Sequence, residues 1–362
     1  MNGIINSTSP AFFLGANTPE GFYSLFSELY DPEDGWRLYI LKGGPGTGKS
    51  SVMKKIAAEA EKRGLYCERV YCSSDPDSLD AVIIPRLKVS IADGTLPHAI
   101  EPRFPGVSEK IVDLGAFRND RLLAEYRETV IEKTLENSAE HKKCVGFMRA
   151  AAAAAADNRI LLSAGADVRK IKNFSYHLAR SIFSSESSCS GKTNRRFLSA
   201  LTPAGYKMFS DTVNAVCEKK IVLDDGYGVA APMMIKILAD LAREAGFGVT
   251  ECMCPMRPVM AEHIIVPELS LGVFTSNRYH RFDIPAEKTV RCTRFFTPQV
   301  LREHRNRISF NVKAQNEFLD EAVKKLQNAK QIHDELEKIY ISSMDFDGVN
   351  EKARELISEI FE

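Results

Sequence analysis

The chain has 362 residues, 44% of them apolar and 27% charged, which is enough for two domains with cores of their own. Its 48 basic and 48 acidic side chains cancel, so a standing electrostatic grip on nucleic acid or on an anionic membrane is not expected. No apolar run is long enough to span a bilayer, and Met1 to Asn6 lacks the basic-then-apolar layout of a secretory signal, so the expected compartment is the cytoplasm.

In chain order, the first strong signal is the apolar run Leu38-Tyr39-Ile40-Leu41, which reads as a strand. It feeds into Gly43-Gly44-Pro45-Gly46-Thr47-Gly48-Lys49-Ser50-Ser51, and an amphipathic helix follows from Ser50 to Arg63 with Gly64 as its C-cap. A glycine-rich turn between a strand and a helix is the setting that a phosphate loop requires. Glycines let the backbone bend around phosphates and aim N–H groups inward, while the helix start adds its positive end. Lys49 is then expected to reach the β- and γ-phosphates of ATP, and the Ser50 hydroxyl to bind Mg²⁺.

A second strand is expected from Leu65 to Cys72, followed by the acidic segment Ser73-Ser74-Asp75-Pro76-Asp77-Ser78-Leu79-Asp80. On the same side of a doubly wound sheet as the phosphate loop, Asp75 is the first choice to orient a nucleophile. A turn or helix cap is the other reading of these residues. After an apolar run ending at Pro85, the strand Leu87 to Ala92 leads into Asp93, the position of a Walker B acid that holds Mg²⁺ directly or through Ser50. An ordinary Asp-Gly turn is the alternative there. His98 reads as a structural hydrogen-bonding residue, and Arg86, Arg103 and Arg118 are candidates for stabilising transition-state charge.

From about Asn119 to Phe183 the chain reads as helical, including the seven alanines 150–156, which favour helix rather than disorder. These helices form either a hairpin packed between the halves or an arm that binds a protein partner. Ser184 to Asn194 is Ser/Gly-rich and reads as a linker.

The second half repeats the first. Phe13 to Phe22 matches Phe197 to Tyr206 at an offset of 184, Lys54 matches Lys236, Gly64 matches Gly246, Cys72 matches Cys254 and His98 matches His280 at 182, and Leu178, Ile182 and Phe183 match Leu356, Ile360 and Phe361 at 178. At the same offset of 182, Ala231 stands for Lys49, Pro232 for Ser50 and Thr275 for Asp93, so the second loop lacks the chemistry of the first. The eight cysteines follow no disulfide framework and read as reduced, mostly buried thiols, Cys252 and Cys254 included.

The segment Asn17 to Tyr23, the loop Lys42 to Ser51, Cys72 to Asp80, Asp93-Gly94-Thr95 and Pro97-His98 together resemble a family of poorly characterised bacterial ATPases, mostly from Firmicutes and labelled as nucleotide kinases. That family is built as two tandem P-loop-like halves, and the likeness covers nearly the whole chain. Its members can keep a phosphate loop in the second half as well. Asp224 to Ala231 departs from that pattern, so the resemblance implies a family and not a second working site.

The expected fold is therefore α/β, with P-loop NTPase-like parallel sheets covered by helices and duplicated in tandem. Residues 1–183 form the first repeat, 184–194 a linker and 195–362 a degenerate second repeat, and each repeat carries a helical segment after its sheet. The expected function is Mg-dependent ATP binding and hydrolysis at one site, with Lys49, Asp75 and Asp93 catalytic. Two alternatives stay open: a kinase that transfers the γ-phosphate to an unidentified acceptor, and a nucleotide sensor that hardly turns over. ATP is favoured over GTP because no guanine-specific Asn/Thr-Lys-x-Asp segment is present.

Overall fold

The computed structural model describes residues 9–183, 189–278 and 280–362. The first half begins with β1 (Ala11–Phe12), the hairpin β2 (Gly15–Thr18) and β3 (Gly21–Ser24), then β4 (Arg37–Lys42) and α1 (Lys49–Lys62). It continues through β5 (Glu68–Tyr71), β6 (Leu79–Ile84), β7 (Val89–Asp93) and β8 (Glu109–Asp113), then α2 (Asp120–Ala124), α3 (Arg127–Ser163) and α4 (Val168–Ile182). The second half begins with β9 (Thr193–Arg196), β10 (Ser199–Thr202), β11 (Gly205–Met208), α5 (Ser210–Val216), β12 (Lys219–Asp224) and α6 (Ala230–Glu244). It continues through β13 (Val249–Cys254), β14 (Arg257–Val266), β15 (Leu271–Ser276) and β16 (Lys288–Arg291), then α7 (Pro298–Glu303), α8 (Arg305–Ile341) and α9 (Phe346–Phe361). No helix of the described residues is long and apolar enough to cross a membrane.

The first sheet is ordered β1-β5-β6-β7-β4-β8 and the second β9-β13-β14-β15-β12-β16, strand for strand the same sequence of elements. Both are mixed. In the first, β6 runs against its neighbours β5 and β7 while the other pairs are parallel, and in the second β14 does the same between β13 and β15. The expectation of a parallel sheet is corrected here. Residues 72–78 join β5 to β6 and a single turn at Pro85–Leu87 joins β6 to β7. Neither connection is long enough for the crossover that a parallel pair needs. The apolar run before Pro85 is this reversed strand, buried at every position because it lies inside the sheet.

Other elements match their signals closely. Gly64 (φ 69°) and Gly246 (φ 88°) take the left-handed conformation just past α1 and α6 that the C-cap position demands. The segment read as a linker divides: residues 184–188 lie outside the described residues, and Thr193 and Asn194 belong to edge strand β9.

The helices bind the halves together by exchange. α3 and α8, 37 residues each and so roughly 55 Å long at 1.5 Å per residue, pack along each other. They run antiparallel: Asn137 Nδ2 donates to the Ala329 carbonyl at 2.7 Å near one end, and Arg307 Nη2 bonds Asp157 at 2.6 Å near the other. Beyond α8, α9 lays Val349, Ala353, Leu356 and Ile360 into the core beneath the first sheet, with Met53 and Ile56 of α1. Beyond α3, α4 lays Ile171, Leu178 and Ala179 into the core of the second sheet, with Met234 and Leu238 of α6.

Reciprocal backbone bonds fix the exchange. Asn119 N donates to Ser343 O (2.8 Å) and Asp345 N to Phe117 O (2.9 Å), while Thr297 N donates to Gly165 O (2.9 Å) and Asp167 N to Phe295 O (2.8 Å). The borders drawn at 183 and 195 follow the sequence repeat; the packing crosses them.

Candidate functional site

β4 ends at the carboxyl edge of the first sheet, and the chain turns there through three left-handed glycines, Gly43 (φ 151°), Gly46 (φ 65°) and Gly48 (φ 88°). A side chain at Gly43 would meet Thr47 Oγ1 at 2.5 Å, so the turn has no room for one. α1 then starts at Lys49 with Gly48 as N-cap and no side-chain cap, which leaves its first-turn N–H groups for another partner. Thr47 Oγ1 donates to Gly44 O at 3.0 Å and braces the curl.

Lys49 is almost completely buried and folds back over the loop, its Nζ donating to Gly44 O (2.7 Å) and Gly43 O (3.2 Å). Its ammonium lies 3.6 Å from Asp93 Oδ2. The pairing of β4 with β7 brings them together: Leu41 stands opposite Asp93, so the acid sits at the strand end beside the loop. Asp93 Oδ1 accepts from Thr95 N (2.8 Å) and Thr95 Oγ1 (2.6 Å), an Asx turn that leaves Oδ2 facing Lys49. The Asp-Gly turn expected as the alternative is present here. Ser50 Oγ accepts the Leu79 N–H at 3.0 Å and ties α1 to β6, while Ser51 is exposed on α1.

Asp75 is engaged on two sides. Its Oδ2 accepts from Ser78 Oγ (2.6 Å), its carbonyl from Ser78 N (2.8 Å), and its Oδ1 lies 3.5 Å from Lys330 Nζ of α8. Among the arginines, Arg118 pairs with Asp120 at 2.7 Å, Arg103 lies over the Phe104 ring, and Arg86 is exposed in the turn at the opposite edge of the sheet.

The end of α8 covers the glycine loop, which nothing in the local sequence announced. A side chain at Gly44 would come within 2.6 Å of the Tyr340 ring, and one at Gly46 within 2.9 Å of the Glu337 carbonyl. His333, whose Nε2 is 3.6 Å from Glu337 Oε1, holds the Glu337 carboxyl below its usual range against the opposing effect of burial, and the nearby Gly46 N–H adds to that effect. An anionic side chain of the second half thus lies close to the glycine loop.

Beside the loop, His98 is buried against Phe26 (centroids 4.3 Å, stacked) with its Nε2 3.2 Å from Asp80 Oδ2. Burial works against the imidazolium, but the Asp80 carboxylate outweighs it and raises the His98 pKa.

The second loop has a different answer to the same backbone. Asp225, 1% exposed, accepts from Tyr227 N (3.3 Å) and Gly228 N (3.1 Å) on Oδ1 and from Ala231 N (2.7 Å) on Oδ2. Burial pushes its pKa up, and the surrounding backbone N–H groups pull against that shift. The concavity that holds phosphate elsewhere is filled here by the chain's own carboxylate. At Asp93's position, Thr275 donates its N–H to His263 Nδ1 (3.0 Å) and its hydroxyl to Glu262 O (2.7 Å). Arg257 Nη2 lies nearest Gly228, with Arg159 of α3 just beyond it, and Ala152 and Ala155 of the alanine run help to line a small cleft there. Cys252 and Cys254 are buried in β13, and no described cysteine forms a disulfide.

Compared with known proteins, the chain matches no family model, no curated protein and no solved structure.

Proposed function

We propose that this chain is an ATP-binding protein with one Mg-dependent nucleotide site, at Gly43 to Ser51, and that it hydrolyses ATP there. The observation that carries the reading is the pairing of Lys49 with Asp93 at 3.6 Å on a loop of three left-handed glycines that opens an uncapped helix. The residues fit the ligand. Backbone N–H groups and Lys49 suit the phosphates, and Ser50 with Asp93 would hold Mg²⁺, which supplies charge neutralisation on the phosphate oxygens when bound. Lys49 would exchange its two carbonyl partners for phosphate, and Asp75, held from α8 by Lys330, is the candidate to orient the attacking water.

We read the two sheets as P-loop NTPase-like halves that arose by tandem duplication. Their shared strand order, their single reversed strands and the reciprocal helix exchange support that reading. Asp225 then makes the second half a scaffold with its own internal anion.

Glu337 favours a related second reading, the sensor. A nucleotide on the loop would meet Glu337 and the Tyr340 ring at the end of α8, so its binding would be coupled to the seating of α8 and, through it, to the second half. The kinase reading shares the same site and differs in the acceptor.

Lys49→Ala tests the proposal. Removing one charge-assisted contact of about 1.5–3 kcal/mol weakens Mg-ATP binding by roughly 10- to 100-fold. Unchanged affinity would remove the loop from the function. Phosphate release without a phosphorylated product separates the ATPase from the kinase.

A further inference from the structure

We propose that Cys72, Asp80 and His98 form a binding site for a zinc-class divalent cation beside the phosphate loop. The Sγ, a carboxylate oxygen and an imidazole nitrogen of these residues all lie within 4.8 Å of one another. They arrive from three places, the residue after β5, the second residue of β6 and the segment after β7, so the sheet itself gathers them. Asp80 is 4% exposed and His98 9%; His98 Nε2 faces Asp80 Oδ2 at 3.2 Å, while the buried His98 Nδ1 has no hydrogen-bond partner. A buried carboxylate and imidazole with an unsatisfied ring nitrogen carry a desolvation cost that a bound cation would offset.

The geometry and the charge balance point to a metal. His98 Nε2 and Asp80 Oδ2 are 3.2 Å apart, close to the ~3.3 Å that separates two ligands held about 2.0 Å from a tetrahedral zinc. The sulfur, within 4.8 Å of both, closes the set by a side-chain rotation. One thiolate, one carboxylate and one neutral imidazole cancel a doubly charged cation, and that neutrality is what a buried site needs. Binding releases the thiol proton to solvent as the S–metal bond forms. A soft thiolate beside imidazole selects a zinc-class ion over Mg²⁺. Three protein ligands also leave a fourth position open, as in catalytic rather than structural zinc sites.

The second half separates the site from simple symmetry. Cys254, Glu262 and His280 stand at the matching positions, offset by 182, yet the group gathered there is Glu262, His263 and His280, with Cys254 outside it. The inference is independent of ATP binding, since it uses neither Lys49 nor Asp93.

The test uses the full-length chain stripped with a chelator and titrated with Zn²⁺ by calorimetry and with Co²⁺ by absorption. One zinc-class ion per chain on the thiol set, with a thiolate-to-cobalt charge-transfer band, is expected. Cys72→Ser should abolish the band and weaken Zn²⁺ binding at least tenfold, and exposed Cys189→Ser should leave both intact. Asp80→Asn, with its fold verified by circular dichroism, should weaken binding by a similar factor while the sulfur band survives at higher Co²⁺. Absence of Zn²⁺ binding by the parent chain, or a band that persists in Cys72→Ser, would overturn the assignment.

Discussion

Phe13 and Phe197 hold each other's backbone: each donates its N–H to the other's carbonyl at 2.8 Å. Both side chains are fully buried in one core that draws on both halves, with Leu38 and Ile40 on one side and Ala200 and Met253 on the other. The two residues occupy the same place in their halves, offset by 184, so this bridge relates the halves as equals. What differs between them is concentrated at the two loops, and the predictions concern those differences.

Asp225 closes the second loop. Asp225→Ala leaves three backbone N–H groups without their acceptor and is expected to cost about 1–3 kcal/mol, read as a lower urea midpoint. The sign of its pH dependence follows from its raised pKa. The contribution of the group to stability is complete below the unfolded value of about 3.9 and is lost as pH rises through the higher folded value. The difference between parent and variant should therefore shrink with rising pH across that window. A constant difference would show that Asp225 does not titrate as a buried acid.

Glu337 places a negative charge beside the glycine loop. Glu337→Gln keeps the shape and removes that charge, whose repulsion of bound phosphates is about 0.5–1.5 kcal/mol at a partly exposed site. ATP affinity is expected to rise roughly 2- to 10-fold. Equal or weaker affinity in a well-folded variant would mean that α8 does not restrain the loop.

Asp93→Asn separates metal from nucleotide. Loss of the carboxylate should weaken the Mg²⁺ dependence of ATP binding at least several-fold, while binding without Mg²⁺ is retained or improved because Lys49 loses its protein counter-charge. Titrating Mg²⁺ at fixed ATP checks this, and normal Mg²⁺ dependence would take Asp93 out of the metal role.

The strand, loop and helix around Lys49 were legible because local chemistry dictates them: an apolar run, glycines at positions that need φ above zero, and a three-and-four pattern closed by Gly64. Asp93 was legible for the same reason, as an acid ending an apolar strand. β6 was missed as a strand, and with it the reversal in the sheet, because a fully buried strand carries no alternation and direction is set by loop length. The helix exchange was hidden differently. The apolar faces of α4 and α9 reveal that they pack, but the pattern is silent on which sheet receives them. Glu337 lies nearly the whole chain away from Gly46, and no local signal connects them. Asp225 was visible only as a departure from the loop pattern; that its carboxylate turns inward to cap three amides is a matter of backbone geometry.

The most direct measurement is a calorimetric titration of the purified chain with Mg-ATP. One nucleotide per chain, lost in Lys49→Ala, is the expected result, because Lys49 equips the first loop and Asp225 fills the second. Two nucleotides per chain, or none, would contradict the account.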